Sequence, residues 1–163
     1  ALETPGPCYL RLSRDVYPDL YSEGTTFVPG QGSLVRRGTD VTVIACGIMV
    51  HKALEAAQAL EQEGISVQVV DMYSIKPIDA DLICRTAAET GAVVTAEEHG
   101  VINGLGSAVA EVLVKSGRPV PVEMVGVQDT FTESGPYSAL LEKYGLDAAT
   151  VERAVRCVLK MKE

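Results

Sequence analysis

From Gly38 onward, short runs of β-branched residues alternate with longer stretches in which apolar side chains recur every three or four positions. Val41 to Cys46 is continuously apolar apart from Thr42, as a strand covered on both faces requires, and Gly47 ends it. Val50, Ala53, Leu54, Ala57 and Leu60 then mark one face of a helix, with Gly64 placed as its left-handed stop. Ser66 to Val70 reads as the next strand. Pro77 and Asp79 open a helix carrying Leu82, Ile83 and Ala87 on one face, closed by Gly91. Ala92 to Ala96 gives a third strand and Pro121 to Val127 a fourth. Between them Gly104 to Ser116 forms a helix with Ala108, Val109, Val112 and Leu113 inward and Gly117 as its terminator. Tyr137, Leu140, Leu141 and Tyr144 before Gly145 predict one more helix, and Asp147 caps a last one ahead of Val151, Val155, Val158 and Leu159. Strands that alternate with helices in this way imply right-handed crossovers and an α/β fold whose mainly parallel sheet is covered on both faces.

The N-terminal part lacks this rhythm. Cys8 to Leu12 reads as a short strand after Pro5-Gly6-Pro7, with nothing nearby to pair with it. From Asp15 to Gly38 periodicity collapses, and Pro18, Gly24, Pro29, Gly30 and Gly32 punctuate what reads as a linker over a surface. The main domain is therefore expected to begin near Gly38. The sequence opens at Ala1 without methionine and runs at once into a strand-like segment, which suggests a piece of something longer.

Composition narrows the classes. The 163 residues are 47% apolar and 22% charged, as in ordinary globular chains, with 14 Lys and Arg against 22 Asp and Glu. The resulting charge of −8 argues against non-specific binding to nucleic acid or to an anionic membrane, both of which need surplus positive charge. No apolar run approaches the ~20 residues of a bilayer span, and the expectation is a soluble cytoplasmic protein. Cys8, Cys46, Cys84 and Cys157 form no C-x-x-C pair and are expected to be buried reduced thiols rather than metal ligands.

In open parallel sheets, ligands sit beyond the carboxyl ends of the strands. Gly47, Asp71, Glu97-Glu98-His99 and Gln128-Asp129 should share that edge. Glu97 and Glu98, as strand neighbours, point to opposite faces, so one is expected inward, capping or pairing, and the other solvated. The Gly104-Leu105-Gly106-Ser107 helix start could turn backbone amides toward an anion, with His99 beside it, giving a possible small-ligand site of His99, Gly104, Gly106 and Ser107. As a dinucleotide fingerprint it fails, because Val109 occupies the third glycine position. His51 is expected on a helix surface. Arg11 and Arg14 flank Leu12-Ser13, and either guanidinium could hold a phosphate in a bidentate pair or form a surface ion pair with Asp15 or Asp19.

Several motifs in order resemble the transketolase C-terminal domain. Glu97-Glu98-His99 followed by Gly104-Leu105-Gly106-Ser107-Ala108-Val109 is similar to that domain's signature, with Asn103 where many members have a first glycine. Asp71 to Asp79, Ser134-Gly135 and Leu140 to Leu146 match further stretches of it. Residues 1 to about 22 resemble the end of the preceding pyrimidine-binding domain, where transketolases proper carry the counterpart of Leu12-Ser13-Arg14. The resemblance implies a tail of the pyrimidine-binding domain over residues 1–22, a linker over 23–37 and a transketolase C-terminal domain over 38–163, in a three-layer fold around a mostly parallel five-stranded sheet.

The activity that the resemblance implies is transfer of a two-carbon ketol unit between ketose and aldose phosphates. The enzyme would use thiamine diphosphate and a divalent metal, Mg or Ca, the cofactor acting as electron sink. The partners implied are the remaining transketolase domains or an N-terminal subunit, assembled as a homodimer or a heterotetramer. Arg14 becomes the expected phosphate ligand, with Arg11 beside it. This chain lacks the diphosphate-binding motif and the activating glutamate, so a structural and dimerising role is expected of it, with no catalytic residue, bound metal or cofactor of its own. Alternatives are the corresponding domain of deoxyxylulose-phosphate synthase or of a 2-oxoacid dehydrogenase β subunit, or a free-standing nucleotide- or metabolite-binding regulatory module.

Overall fold

The computed structural model describes residues 3–13 and 15–162. Its five strands and five helices run in the order β1 (Ser33–Arg36), β2 (Val41–Ala45), α1 (Ile48–Glu61), β3 (Val67–Asp71), α2 (Ala80–Thr90), β4 (Val93–Gly100), α3 (Leu105–Lys115), β5 (Val122–Val127), α4 (Tyr137–Lys143) and α5 (Ala148–Lys162). The strands form one sheet in the order β1-β3-β2-β4-β5, parallel except for β1, which pairs antiparallel with β3 at one edge. The anticipated three-layer α/β fold is thus the one observed.

Each layer arises from the apolar pattern. β2 is buried along its whole length, as is β3. On one face α1 and α5 cover the sheet through Val50, Ala53, Ala57, Leu60, Val151, Val155 and Val158. On the other, α2 and α3 contribute Leu82, Ile83, Ala87, Leu105, Val109 and Leu113. Among the described residues no helix is long and apolar enough to cross a membrane.

The N-terminal part departs from expectation. Cys8 to Leu12 forms no strand, and none of the strands among the described residues pairs with it. Conversely, Ser33–Arg36, inside the stretch read as linker, is the fifth strand. Its alternation is too short to stand out in sequence, and its register slips between Leu34 and Arg36. The residues before it are fastened to the ends of the strands: Tyr21 donates to Asp71 at 2.7 Å, the Gly30 amide to Ser74 Oγ at 2.8 Å, and Tyr21, Phe27 and Tyr73 pack edge to face. The cysteines are free, but Cys8 and Cys157 are exposed and Cys46 and Cys84 only half-buried.

Asp79 illustrates how the elements are joined. Its carboxylate caps α2 by accepting from the Leu82 amide at 2.9 Å and also accepts from the Gly32 amide at 3.1 Å, just before β1. An N-cap aspartate alone contributes about 1 kcal/mol. With two amides released, Asp79→Ala is expected to lower the unfolding free energy by about 1–2 kcal/mol in urea denaturation.

Candidate functional site

The carboxyl ends of β2, β3, β4 and β5 bring Gly47, Asp71, Glu97, Glu98, His99 and Asp129 to one edge, as the topology requires. Its centre is an irregularity in β4. Ala96 pairs with Val125 and Gly100 with Val127, so four steps along β4 match two along β5. The surplus residues bulge and re-aim their side chains. Val101 Cγ1, the His99 carbonyl and Glu97 Cγ crowd the Cα of Gly126 on β5, leaving a Cβ there no room.

Val93, Thr95 and Glu97 alternate onto the face covered by α2 and α3, where the Glu97 side chain is fully buried. There the carboxylate accepts from the Leu105 amide at 2.6 Å and the Gly106 amide at 2.8 Å, two of the donors that every helix start leaves unpaired. His99 Nδ1 approaches the same carboxylate at 2.7 Å. The Cys46 thiol and the Glu97 carboxylate, both hydrogen-bonded to the imidazole, push the His99 pKa up to about 10 against the opposing effect of burial. At neutral pH His99 is therefore an imidazolium, set against the Glu97 side chain at the positive end of α3. Gly104 must lack a side chain, since a Cβ would stand 2.1 Å from Glu97 Oε2.

The four residues read as a possible small-ligand site are thus brought together, with the Gly106 amide, His99 Nδ1 and the Ser107 hydroxyl already engaged. The anion facing the α3 amides is the chain's own Glu97. Ser107 Oγ accepts from the Asn103 amide at 2.9 Å and donates to the Val101 carbonyl at 3.1 Å. A cleft of about 480 Å³ opens alongside, and Glu98, His99, Asp129, Glu133, Tyr137 and Tyr144 are among its lining. Two of the carboxylates there are paired, Glu98 with Arg11 and Glu133 with Lys143.

Glu98 points away from Glu97, as strand alternation requires, but it is not solvated. Its side chain is mostly buried and accepts from the Tyr137 hydroxyl at 2.7 Å, which in turn accepts from the Tyr17 hydroxyl at 2.7 Å. Burial, followed by the bonds to Tyr17 and Glu98, raises the Tyr137 pKa, with Ser13 opposing. Arg11 Nη2 donates to the Glu98 carbonyl at 2.9 Å and lies 3.7 Å from its carboxylate. Arg11 is consequently directed at the domain's own strand. Arg14 lies outside the described residues. His51 is half-buried and stacks on Tyr17, ring centres 5.9 Å apart. Asp71 is buried at the end of β3, and that desolvation raises its pKa against the opposing Tyr21 bond and the nearby His51.

Sequence reasoning missed Tyr17, Tyr21 and Tyr137 as organisers of this edge. The available signal was two tyrosines in a stretch otherwise poor in apolar residues, since a buried tyrosine needs a partner for its hydroxyl.

Removing the charge of Glu97 sets a carboxamide against amide donors and strands the imidazolium. Glu97→Gln is expected to cost about 3–5 kcal/mol of unfolding free energy, as for one half of a buried pair. His99→Asn keeps the helix cap and is expected to cost about 1–3 kcal/mol near neutral pH. The His99 pKa is raised from its ordinary 6.5 to about 10, so the stabilisation is full below the lower value and lost as pH rises through the upper one. The stability difference between wild type and His99→Asn, followed by urea denaturation, should shrink between those two pH values.

Comparison with known proteins identifies the family and the fold. The family model for the transketolase C-terminal domain matches residues 30–151, a span that includes β1. A 6-deoxy-6-sulfo-D-fructose transketolase subunit from Clostridium sp. (strain MSTE9) is 46% identical over 157 residues, covering 96% of this chain and 48% of that protein. A 1-deoxy-D-xylulose-5-phosphate synthase from Heliobacterium modesticaldum is 44% identical over 158 residues, covering 96% of this chain and 24% of its own length. Among solved structures, a split-gene transketolase described as an inactive beta4 tetramer superposes with a TM-score of 0.86 at 57% identity, over 90% of this chain and 48% of that one. The chain therefore spans half or less of the relatives it matches. By sequence and by fold, it belongs to the transketolase C-terminal domain family.

Proposed function

We propose that this chain is the C-terminal portion of a transketolase that moves a two-carbon ketol unit between sugar phosphates. The observation that carries the reading is its 57% identity, at a TM-score of 0.86, to the split-gene transketolase chain. In this reading the remaining domains, or an N-terminal subunit, supply the reaction centre, and the assembly is a homodimer or a heterotetramer of paired halves. Its cofactor is thiamine diphosphate with a divalent metal.

This chain's own residues do not fit that cofactor. The Leu105 and Gly106 amides, which could face a diphosphate, are held by Glu97, and among the described residues no three His, Cys, Asp or Glu side chains gather as metal ligands. What the chain contributes is packing, contacts between subunits and the segment that carries Arg11 and Arg14. Arg11 is turned toward Glu98, and Arg14, the phosphate ligand that the family resemblance implies, holds the terminal anion of the sugar in this reading. A guanidinium pairs with a phosphate or with a sulfonate, the group named in the Clostridium relative's substrate.

The match to deoxyxylulose-phosphate synthases favours a second reading, in which the same scaffold serves a synthase. Leu12-Ser13-Arg14 favours the transketolase. Co-expressing this chain with the N-terminal section of the enzyme and supplying a ketose phosphate with an aldose phosphate separates the two readings. Ketol transfer supports the transketolase, whereas condensation of pyruvate with an aldose phosphate supports the synthase. In the active assembly, Arg14→Ala should weaken kcat/KM for phosphorylated acceptors roughly 10-fold to 150-fold, as for a lost hydrogen bond to a charged group. Equal effects on unphosphorylated acceptors would remove Arg14 from the phosphate site.

A further inference from the structure

Cys46 joins the carboxyl edge of the sheet as a group that the cap on α3 does not use. It follows Ala45 at the end of β2, and its amide donates to the Ala96 carbonyl at 3.2 Å. The parallel register that pairs Ala45 with Ala96 sets Cys46 beside Glu97, on the face covered by α2 and α3. Its thiol is hydrogen-bonded to the His99 imidazole, whose Nδ1 lies 2.7 Å from the Glu97 carboxylate. A sulfur, an imidazole and a fully buried acid that orients the ring therefore stand in series. Capping of α3 accounts for Glu97, and Glu97 accounts for the orientation of His99; neither requires the sulfur. A nucleophile beside an imidazole that is itself held by a third group is the arrangement that activates thiols.

We propose that Cys46 is the nucleophilic thiol of a Cys46–His99–Glu97 triad and the point at which hydroperoxides oxidise this chain. Thiol reactivity depends on positive charge beside the sulfur, since the attacking species is the thiolate. His99 supplies that charge, because it is an imidazolium at neutral pH. Cys46 also stands one residue before Gly47, the N-cap of the 14-residue α1, whose first turn holds no acidic side chain. The exposed thiols have other surroundings. Cys157 faces the Glu123 carboxylate at 3.3 Å, which pushes its pKa up and keeps it protonated, and Cys8 lies 3.9 Å from the Gly6 carbonyl. In the reaction the thiol proton passes to solvent, the sulfur attacks the terminal oxygen of the peroxide and the O–O bond breaks. The departing oxygen takes a proton from His99, so the sulfur is oxidised to a sulfenic acid and the peroxide is reduced to water or an alcohol. His99 then recovers its proton from solvent. All three groups belong to this chain, so the reaction is independent of the ketol transfer proposed above.

The test treats the full chain with hydrogen peroxide, traps sulfenic acid with dimedone and maps the label by peptide mass spectrometry. In the wild type, Cys46 is expected to take up label first, although it is half-buried and Cys8 and Cys157 are exposed. His99→Asn removes the charge beside the sulfur and keeps Glu97 on the amides of α3. It should slow labelling of Cys46 roughly 10-fold and leave Cys8 and Cys157 unchanged. Faster labelling of Cys8 or Cys157 than of Cys46 in the wild type overturns the assignment, and so does an unchanged Cys46 rate in His99→Asn. The half-buried Cys84 on α2 reports on the fold through its alkylation by iodoacetamide. Should His99→Asn speed that alkylation, showing a loosened domain, the order of labelling in the wild type decides alone.

Discussion

The carboxylate of Glu97 is the fixed point of this domain. A fully buried anion is costly unless donors surround it, and the fold supplies two amides from the start of α3 and the imidazolium of His99. The neighbouring features answer that requirement. Strand alternation turns the side chain toward α3, Gly126 leaves room for the irregularity in β4, and Gly104 leaves room for the carboxylate at the helix start. α3 enters its packing against α2 from this anchor. A helix start that could receive a ligand's phosphate is thereby closed by an internal carboxylate.

That arrangement is one part of how the carboxyl edge of the sheet is filled from within the chain. The edge is engaged by the chain itself: Asp71 takes the hydroxyl of Tyr21, and Glu98 takes Tyr137 and Arg11. The segment before β1 is laid across the strand ends by these polar contacts together with the packing of Tyr17 and Leu20 on the core and of Phe27 between Tyr21 and Tyr73. The sheet edge that binds nucleotides in other folds is occupied here by the chain's own N-terminal segment.

Most of the fold was legible because its elements are long and regular. The apolar run of β2, the cap at Asp79 and the glycine after α2 each carry a local cause, and the structure reproduces them. β1 was not legible: four residues at a sheet edge, with a slipped register, carry too little alternation to separate from a loop. Cys8 to Leu12 failed for the opposite reason, having strand-like residues and no partner. At the site, strand parity correctly sent Glu97 and Glu98 to opposite sides. It could not show that Glu98 would be met by Tyr137, which lies 39 positions away, or that the amides of α3 would be taken by Glu97. Such contacts depend on tertiary juxtaposition that spacing along one chain does not encode.

In this picture the chain supplies the scaffold and the substrate-facing segment, while the cofactor belongs to the rest of the enzyme. The decisive experiment is titration calorimetry with thiamine diphosphate and magnesium, on this chain alone and on the chain reassembled with its N-terminal section. No binding heat is expected from the chain alone, and saturable binding is expected once the halves are joined. Saturable binding to the isolated chain, at affinity useful to an enzyme, would contradict this division of labour.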